Sequence, residues 1–328
     1  INADTGQVMG AAVRADMTVS FIGLNQGLYT GEAPDHTGKI IYESLEVDDI
    51  CYESVAASSE LINDSVIQQF HPRSKTTHKG QCGHVLIVGG NTGMAGAPVL
   101  AGRAALRAGA GLVSVATRKE HSLSLTTAQP ELMVHGVESG SDLDKLIAEA
   151  TVTVIGPGLG KDRWSQLMLN KVIERRIPAI MDADALNLLA MEPARCEHWI
   201  LTPHVGEAAR LLGVSTAEIS RDRFSAACEI QQKYGGITVL KGAGTLVSSP
   251  EIKVCPYGNP GMATAGMGDM LSGIIGALVA QGLAHARAAE LGVWAHARAA
   301  DLDALLYGER GMRASDVLTS LRKVLNGL

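Results

Sequence analysis

The residues best suited to chemistry lie in one segment, Gly258 to Gly273. It holds five glycines and runs into a long apolar stretch, Met270 to Val279. Glycines where a helix begins let backbone N–H groups approach an anion, and the helix dipole adds positive charge there. Gly266, Met267 and Gly268 would form this anion cradle, and no Walker lysine accompanies it. Asp269 follows in the first turn. A carboxylate beside a bound phosphate is repelled unless it has a task, and the natural task is to take the proton from a hydroxyl attacking that phosphate. The alternative is an ordinary N-terminal helix acid, favoured by the dipole alone.

Further special residues follow short apolar runs. Residues 89–93 are Gly-Gly-Asn-Thr-Gly and residues 156–160 are Gly-Pro-Gly-Leu-Gly, while Asp182, His204 and Lys241 each sit at or just past a run. In open α/β sheets ligands bind beyond the carboxyl ends of the strands, so five such features on one edge point to a shared site. Lys241 would add charge to a phosphate or satisfy strand-end carbonyls. The segment 156–161 lacks P-loop spacing, and no dinucleotide fingerprint, nucleophile elbow or H-E-x-x-H motif occurs. His71, His78 and His84 fit no standard metal spacing and read as linker or surface residues. The repeat Ala284–Leu291 recurs at Ala295–Leu302, an eleven-residue step that puts His285 and His296 on one helix face as structural or surface residues.

The elements that must position these residues alternate. Strands are expected at 85–88, 112–116, 152–155, 178–181, 198–201 and 237–240, with a hairpin pair at 245–247 and 253–255. Helices are expected at 96–108, 163–175, after 182, at 205–212, 216–234, 264–281, 284–306 and 313–325. Short, continuously apolar strands between helices predict a mostly parallel sheet covered on both faces. Residues 1–50 read as a small β-rich piece with a strand near 16–22. Residues 51–77 read as a polar linker with one short helix around 59–69.

The chain has 328 residues, 46% hydrophobic and 19% charged, which excludes a disordered chain. A formal charge of −6 argues against a general nucleic-acid binder. No apolar run is long enough for a transmembrane helix. Five scattered cysteines without C-x-x-C fit a reduced, cytoplasmic protein. Glycine is 37 of 328 residues, above the typical ~7%, and fits many backbone-lined turns.

From His78 onward these motifs together resemble the ADP-dependent NAD(P)H-hydrate dehydratase domain, the C-terminal half of the bacterial bifunctional NAD(P)H-hydrate repair enzymes, in the ribokinase-like superfamily. The matching segments are 88–90, 96–97, 104–112, 154–160, 182–187, 202–207, 241–245 and 261–269. The resemblance implies a three-layer α-β-α sandwich over 78–328. It also implies the reaction: ADP phosphorylates the hydroxyl of the (6S)-hydrate of NAD(P)H, then phosphate leaves to restore NAD(P)H, with AMP and phosphate as products. By that pattern Asp269 is the base and contacts the hydrate. Ala97, Gly158, Gly160 and His204 hold the hydrate. Lys241, Gly242, Ala243, Gly244, Thr245 and Gly268 meet the nucleotide. Mg²⁺ is the implied cofactor, its ligands undefined, and a homo-oligomer such as a tetramer the implied assembly.

Residues 1–50 resemble the end of the companion epimerase domain, through 2–6, 15–21 and 27–31. Earlier strands of that domain are absent from the sequence, so epimerase activity is expected to be lost and the remnant to be poorly ordered or docked on a neighbour. Two other readings stand beside the dehydratase. One is a ribokinase-like kinase of a vitamin alcohol, which would leave a stable phosphorylated product. The other is a nucleotide-binding module without turnover.

Overall fold

A computed structural model describes residues 1–328, apart from the side chain of Gln69. Twelve strands are β1 Met17–Phe21, β2 Lys39–Glu43, β3 Ser59–Leu61, β4 His84–Val88, β5 Leu112–Thr117, β6 Met133–Gly136, β7 Val152–Ile155, β8 Ala179–Met181, β9 Trp199–Leu201, β10 Ile237–Leu240, β11 Thr245–Ser248 and β12 Ile252–Cys255. The helices are α1 Pro34–Thr37, α2 Asp49–Glu53, α3 Gly96–Arg107, α4 Ser122–Ala128, α5 Gly140–Glu149, α6 Arg163–Arg175, α7 Ala183–Met191, α8 Val205–Leu212, α9 Thr216–Arg221, α10 Arg223–Tyr234, α11 Met267–Ala280, α12 His285–Tyr307 and α13 Val317–Val324.

Ten strands form one sheet in the order β3-β12-β11-β10-β9-β8-β7-β4-β5-β6. Only the β10–β11 and β11–β12 pairs are antiparallel. Side chains alternate across the sheet, and both faces are covered. Val85, Ile87, Val154 and Val239 pack with α3, α11, α12 and α13. Leu86, Val88, Ile155 and Leu240 pack with α5 to α8 and α10. That is the expected three-layer sandwich. The parallel strands β4, β7, β8, β9 and β10 all end on one edge, so residues 89–93, 156–160, Asp182, His204 and Lys241 share it.

Three expectations change. The helix expected around 59–69 is instead strand β3, parallel to β12 at the sheet's edge, followed by a 3-10 turn at Asp64–Gln69. Pairing with a distant strand overrides the local propensity. The helix expected over 216–234 is two helices, because Asp222 adopts an extended backbone and its carboxylate accepts the Ser225 N–H, starting α10 afresh. The first fifty residues are ordered rather than unstructured. They form a two-stranded parallel sheet, β1–β2, and touch this chain's own 241–245 loop.

His84 heads β4, its Nε2 2.8 Å from Ser114 Oγ. His296 is buried on α12 with Nε2 unpartnered, and burial pushes its imidazole down to about 4, so it stands as a neutral core residue. Among the described residues no helix is long and apolar enough to cross a membrane.

Candidate active site

Asp182 ends β8 and is buried. Lys241 ends β10, two strands away, and its Nζ donates to Asp182 Oδ1 at 2.8 Å. The lysine therefore finds a carboxylate rather than strand-end carbonyls. Ser272 on α11 donates to the other oxygen of Asp182 at 2.5 Å. One buried carboxylate thus ties the β10 end to the first turns of α11. Burial pushes the Asp182 carboxyl up, but Lys241 and Ser272 outweigh it and hold it below the ordinary carboxylate range. Burial likewise works against the Lys241 ammonium, and Asp182 and Glu207 keep it raised and charged.

Residues 202–207 turn from β9 into α8. His204 is the N-cap: its Nδ1 accepts the Gly206 N–H at 2.9 Å, while Glu207 accepts the His204 N–H at 2.8 Å. An Nδ1 that accepts must carry its proton on Nε2, which lies 3.4 Å from Glu207 Oε1. Burial first, and Lys241 next, hold the imidazole below its usual range, so it is neutral at pH 7. Glu207 Oε2 is 3.8 Å from Lys241 Nζ. Burial and the nearby Asp182 push the Glu207 carboxyl up to about 7.

α11 begins at Gly266, whose φ of +90° a residue with a side chain adopts only under strain. No side chain caps this helix, and its first internal bond runs from Met270 N–H to Gly266 O. The N–H groups of Met267, Gly268 and Asp269 are therefore the helix's free donors. Met267 contributes its N–H only, since its side chain is buried in the core. A Cβ on Gly268 would lie 3.2 Å from Lys241 Nζ, so glycine is what lets the ammonium reach the helix start. Asp269 sits in that first turn. Burial, then Asp182, push its carboxyl up to about 7, with Lys241 pulling the other way and Glu207 and Asp184 adding to the rise. A carboxyl poised near neutrality is what a general base requires.

The other expected residues occupy the same edge. Gly158 O accepts the Asn91 N–H at 2.7 Å, joining the loops after β7 and β4. Gly160 N–H donates to Asp184 Oδ2 at 2.9 Å, on the first turn of α7. Ala97 is the second residue of α3, just after the 89–95 loop. Lys241 N–H bonds Pro203 O at 2.9 Å, which fixes the start of the 241–245 loop beside His204. The sequence motifs left Ser272, Asp184 and Glu207 without roles; that Ser272 reaches Asp182, Asp184 the Gly160 N–H and Glu207 the Lys241 ammonium are tertiary facts, although the acid-rich strand ends were a signal. A cavity of about 1340 Å³ lies at the opposite edge, where β4 and β5 begin, and includes none of these residues.

Three carboxylates, those of Asp182, Glu207 and Asp269, act on the Lys241 ammonium, and a fourth, Asp184, acts on Asp269. Burial first, and the neighbouring carboxylates next, push Glu207 and Asp269 up to about 7. Such a surplus suits a divalent cation arriving with a phosphate. Among the described residues no three ligating side chains come together as a metal site; Mg²⁺ ordinarily takes one or two carboxylates and fills its shell with phosphate and water, so the chemistry suits an ion brought in by the phosphate rather than a resident one.

The family description NAD(P)H-hydrate dehydratase matches residues 85–323. The bifunctional NAD(P)H-hydrate repair enzymes of Coxiella burnetii and Escherichia coli are 51% and 47% identical over 99% of the chain. The chain covers 67% and 63% of them, about two thirds of their length. A crystal structure of the ADP/ATP-dependent NAD(P)H-hydrate dehydratase of Bacillus subtilis, co-crystallised with ATP/Mg²⁺, is 28% identical, with a TM-score of 0.74 over 83% of this chain and 99% of that one. An uncharacterised Streptococcus mutans protein of known structure is 30% identical, with a TM-score of 0.76 over 81% of this chain and 99% of its own. The geometry built from Asp182, Lys241 and α11 accordingly sits on a ribokinase-like fold, and the chain belongs to the NAD(P)H-hydrate dehydratase family, a family of hydro-lyases.

Proposed function

We propose that this site dehydrates the (6S)-hydrate of NADH or NADPH at the expense of ADP. The observation that carries the reading is Asp269, a carboxyl held near 7 in the first turn of an uncapped helix beside a charged lysine. Asp269 takes the proton of the ring hydroxyl as that oxygen attacks the β-phosphorus of ADP, and AMP leaves. The ring nitrogen's lone pair then expels inorganic phosphate, leaving an iminium, and loss of a proton from the neighbouring ring carbon restores the double bond of NAD(P)H. Hydrate and ADP enter; NAD(P)H, AMP, phosphate and a proton leave.

The free N–H groups of Met267, Gly268 and Asp269, with the Lys241 ammonium, hold the phosphoryl oxygens as charge develops. Asp182 and Ser272 fix Lys241 against α11. Gly242, Ala243, Gly244 and Thr245 hold the nucleotide. Ala97, Gly158, Gly160 and His204 line the hydrate's side, where the neutral imidazole of His204 offers no competing charge. Mg²⁺, when bound with the nucleotide, would spread the phosphate charge, and Glu207 would hold it directly or through water. Co-crystallisation of the B. subtilis relative with ATP/Mg²⁺ supports the nucleotide and the cation.

The proposal extends to organisation: residues 1–50 derive from an epimerase domain, 51–77 connect, and 78–328 are the dehydratase domain. The alignment with bifunctional relatives over 99% of the chain supports this reading. The test mixes protein, hydrate, ADP and Mg²⁺ and follows the recovery of reduced-nicotinamide absorbance, with AMP and phosphate measured alongside. Equal yields of all three are expected. A stable phosphorylated product made from ATP would point to a small-molecule kinase instead, and no recovery at all would sink the reading.

A further inference from the structure

Arg223 is a buried cation in an unfavourable place. It opens α10, at the positive end of that helix's dipole, and is 3% exposed. Among the described residues it forms no ion pair. Its partners are three neutral oxygens: Nη2 donates to Leu240 O at 3.1 Å, and Nη1 donates to Thr30 Oγ1 at 2.6 Å and to Ala243 O. Burial pushes the guanidinium down to about 10. A buried charge without a counter-ion costs a fold stability.

Those oxygens connect two distant parts of the chain. Leu240 and Ala243 bracket Lys241 and Gly242. Thr30 belongs to the N-terminal segment and is fully buried. The Ala243 carbonyl takes donors from both sides, from Arg223, from Thr30 Oγ1 at 3.1 Å and from Gly31 N–H at 3.3 Å. Gly244 has a φ of +61°, and a Cβ there would lie 1.9 Å from Tyr29 O, so the two backbones meet with no side chain between them. In a trans peptide the N–H points opposite to the C=O. Anchoring the Ala243 carbonyl toward Arg223 and Thr30 therefore directs the Gly244 N–H away from them, free for a ligand.

We propose that Thr30 and Arg223 are positioning residues for the 241–245 loop, and that binding of a nucleoside diphosphate there is coupled to seating of the N-terminal segment on it. The proposal rests on the reading of 241–245 as a nucleotide loop. The coupling is reciprocal: whatever factor the seated segment adds to nucleotide affinity, the nucleotide adds to the segment's seating.

The experiment titrates ADP by calorimetry into the full chain and into Thr30→Val, Thr30→Ser and Arg223→Lys. A lost hydrogen bond typically costs a few-fold to tenfold in affinity. Thr30→Val should weaken ADP by about that factor and raise the KM for ADP equally, with kcat and the KM for hydrate within about twofold. Thr30→Ser, which keeps the hydroxyl, should retain the affinity of the unaltered chain. ADP should also slow amide hydrogen exchange across residues 26–31 of the unaltered chain, and less so in Thr30→Val. If Arg223→Lys fails to fold, these measurements still decide. ADP bound equally by all variants, or exchange at 26–31 indifferent to ADP, overturns the coupling and leaves the nucleotide reading standing. An unaltered chain that binds no ADP overturns both.

Discussion

At Asp269 two demands conflict. Burial and the surrounding carboxylates keep the proton on it up to about pH 7, yet its proposed task requires the proton to be gone. The acid limb of kcat/KM should therefore rise about tenfold per pH unit below 7 and level off above. Asp269→Asn should lower kcat by the ~10²–10⁴-fold typical of a lost general base and abolish that limb. Stability should move the other way. An unfolded aspartate loses its proton near pH ~3.9, whereas the folded one keeps it to about 7. Its contribution to stability is thus complete below about pH 4 and is lost as pH rises through 7. Asp269→Asn carries no such charge, so its Tm at pH 8 should exceed that of the unaltered chain, by calorimetry; a lower Tm there would contradict the strained-base reading. Lys241 makes the complementary case. Lys241→Met strands the buried Asp182 charge, which should cost about 3–5 kcal/mol in urea unfolding. Adding Asp182→Asn should recover much of that loss; if it does not, the pair is not what stabilises this edge. Asp269 and the glycines were legible in the sequence because their meaning is local, a helix start. The ion pair was not, because Lys241 and Asp182 stand 59 positions apart and only the strand order brings them together.

The elements were legible to different degrees for physical reasons. β4, β7 and β10 are short apolar runs buried on both faces, a pattern that leaves little ambiguity. β3 is a three-residue edge strand of Ser-Glu-Leu that exists because β12 offers it a pairing edge, and nothing in its own composition announces it. β6, the other edge, is equally weak in pattern. α11 is the element on which the site depends, since it carries Asp269, Ser272 and the start proposed as an anion cradle. Its depth is set by contact with α3: a Cβ on Gly273 would fall 2.0 Å from the Ala101 carbonyl oxygen. Gly273→Ala must therefore push the two helices apart. The expected cost is about 1–3 kcal/mol of overpacking, read as a shifted urea midpoint. Activity should fall further than that loss explains, because moving α11 by even a few tenths of an ångström separates Ser272 from Asp182. A variant with unchanged midpoint and activity would show that the helices have room to adapt.

On the scale of the whole molecule, the expectation of a poorly ordered N-terminal piece failed for an instructive reason. Fifty residues are too few for a good core of their own, but these borrow one: Tyr29 packs against the main core and Thr30 is sealed by the 241–245 loop. The docking is one-sided. Met17, Val19 and Phe21 on β1, with Ile22 after it and Tyr42 on β2, are each more than two-fifths exposed. A two-stranded sheet is marginal by itself, and open edges beside exposed apolar side chains invite association. The chain by itself should therefore bind an apolar dye such as ANS in its native state and scatter light increasingly at micromolar concentration. Val19→Lys with Phe21→Lys should suppress both signals. These residues lie well away from the Thr30 contact in sequence and point to solvent, so ADP affinity should stay within about twofold. If the lysine variant binds dye and associates as strongly as the unaltered chain, the β1–β2 face is not the adhesive surface. If it loses ADP affinity as well, the sheet and the nucleotide loop are coupled more tightly than Thr30 and Arg223 alone require.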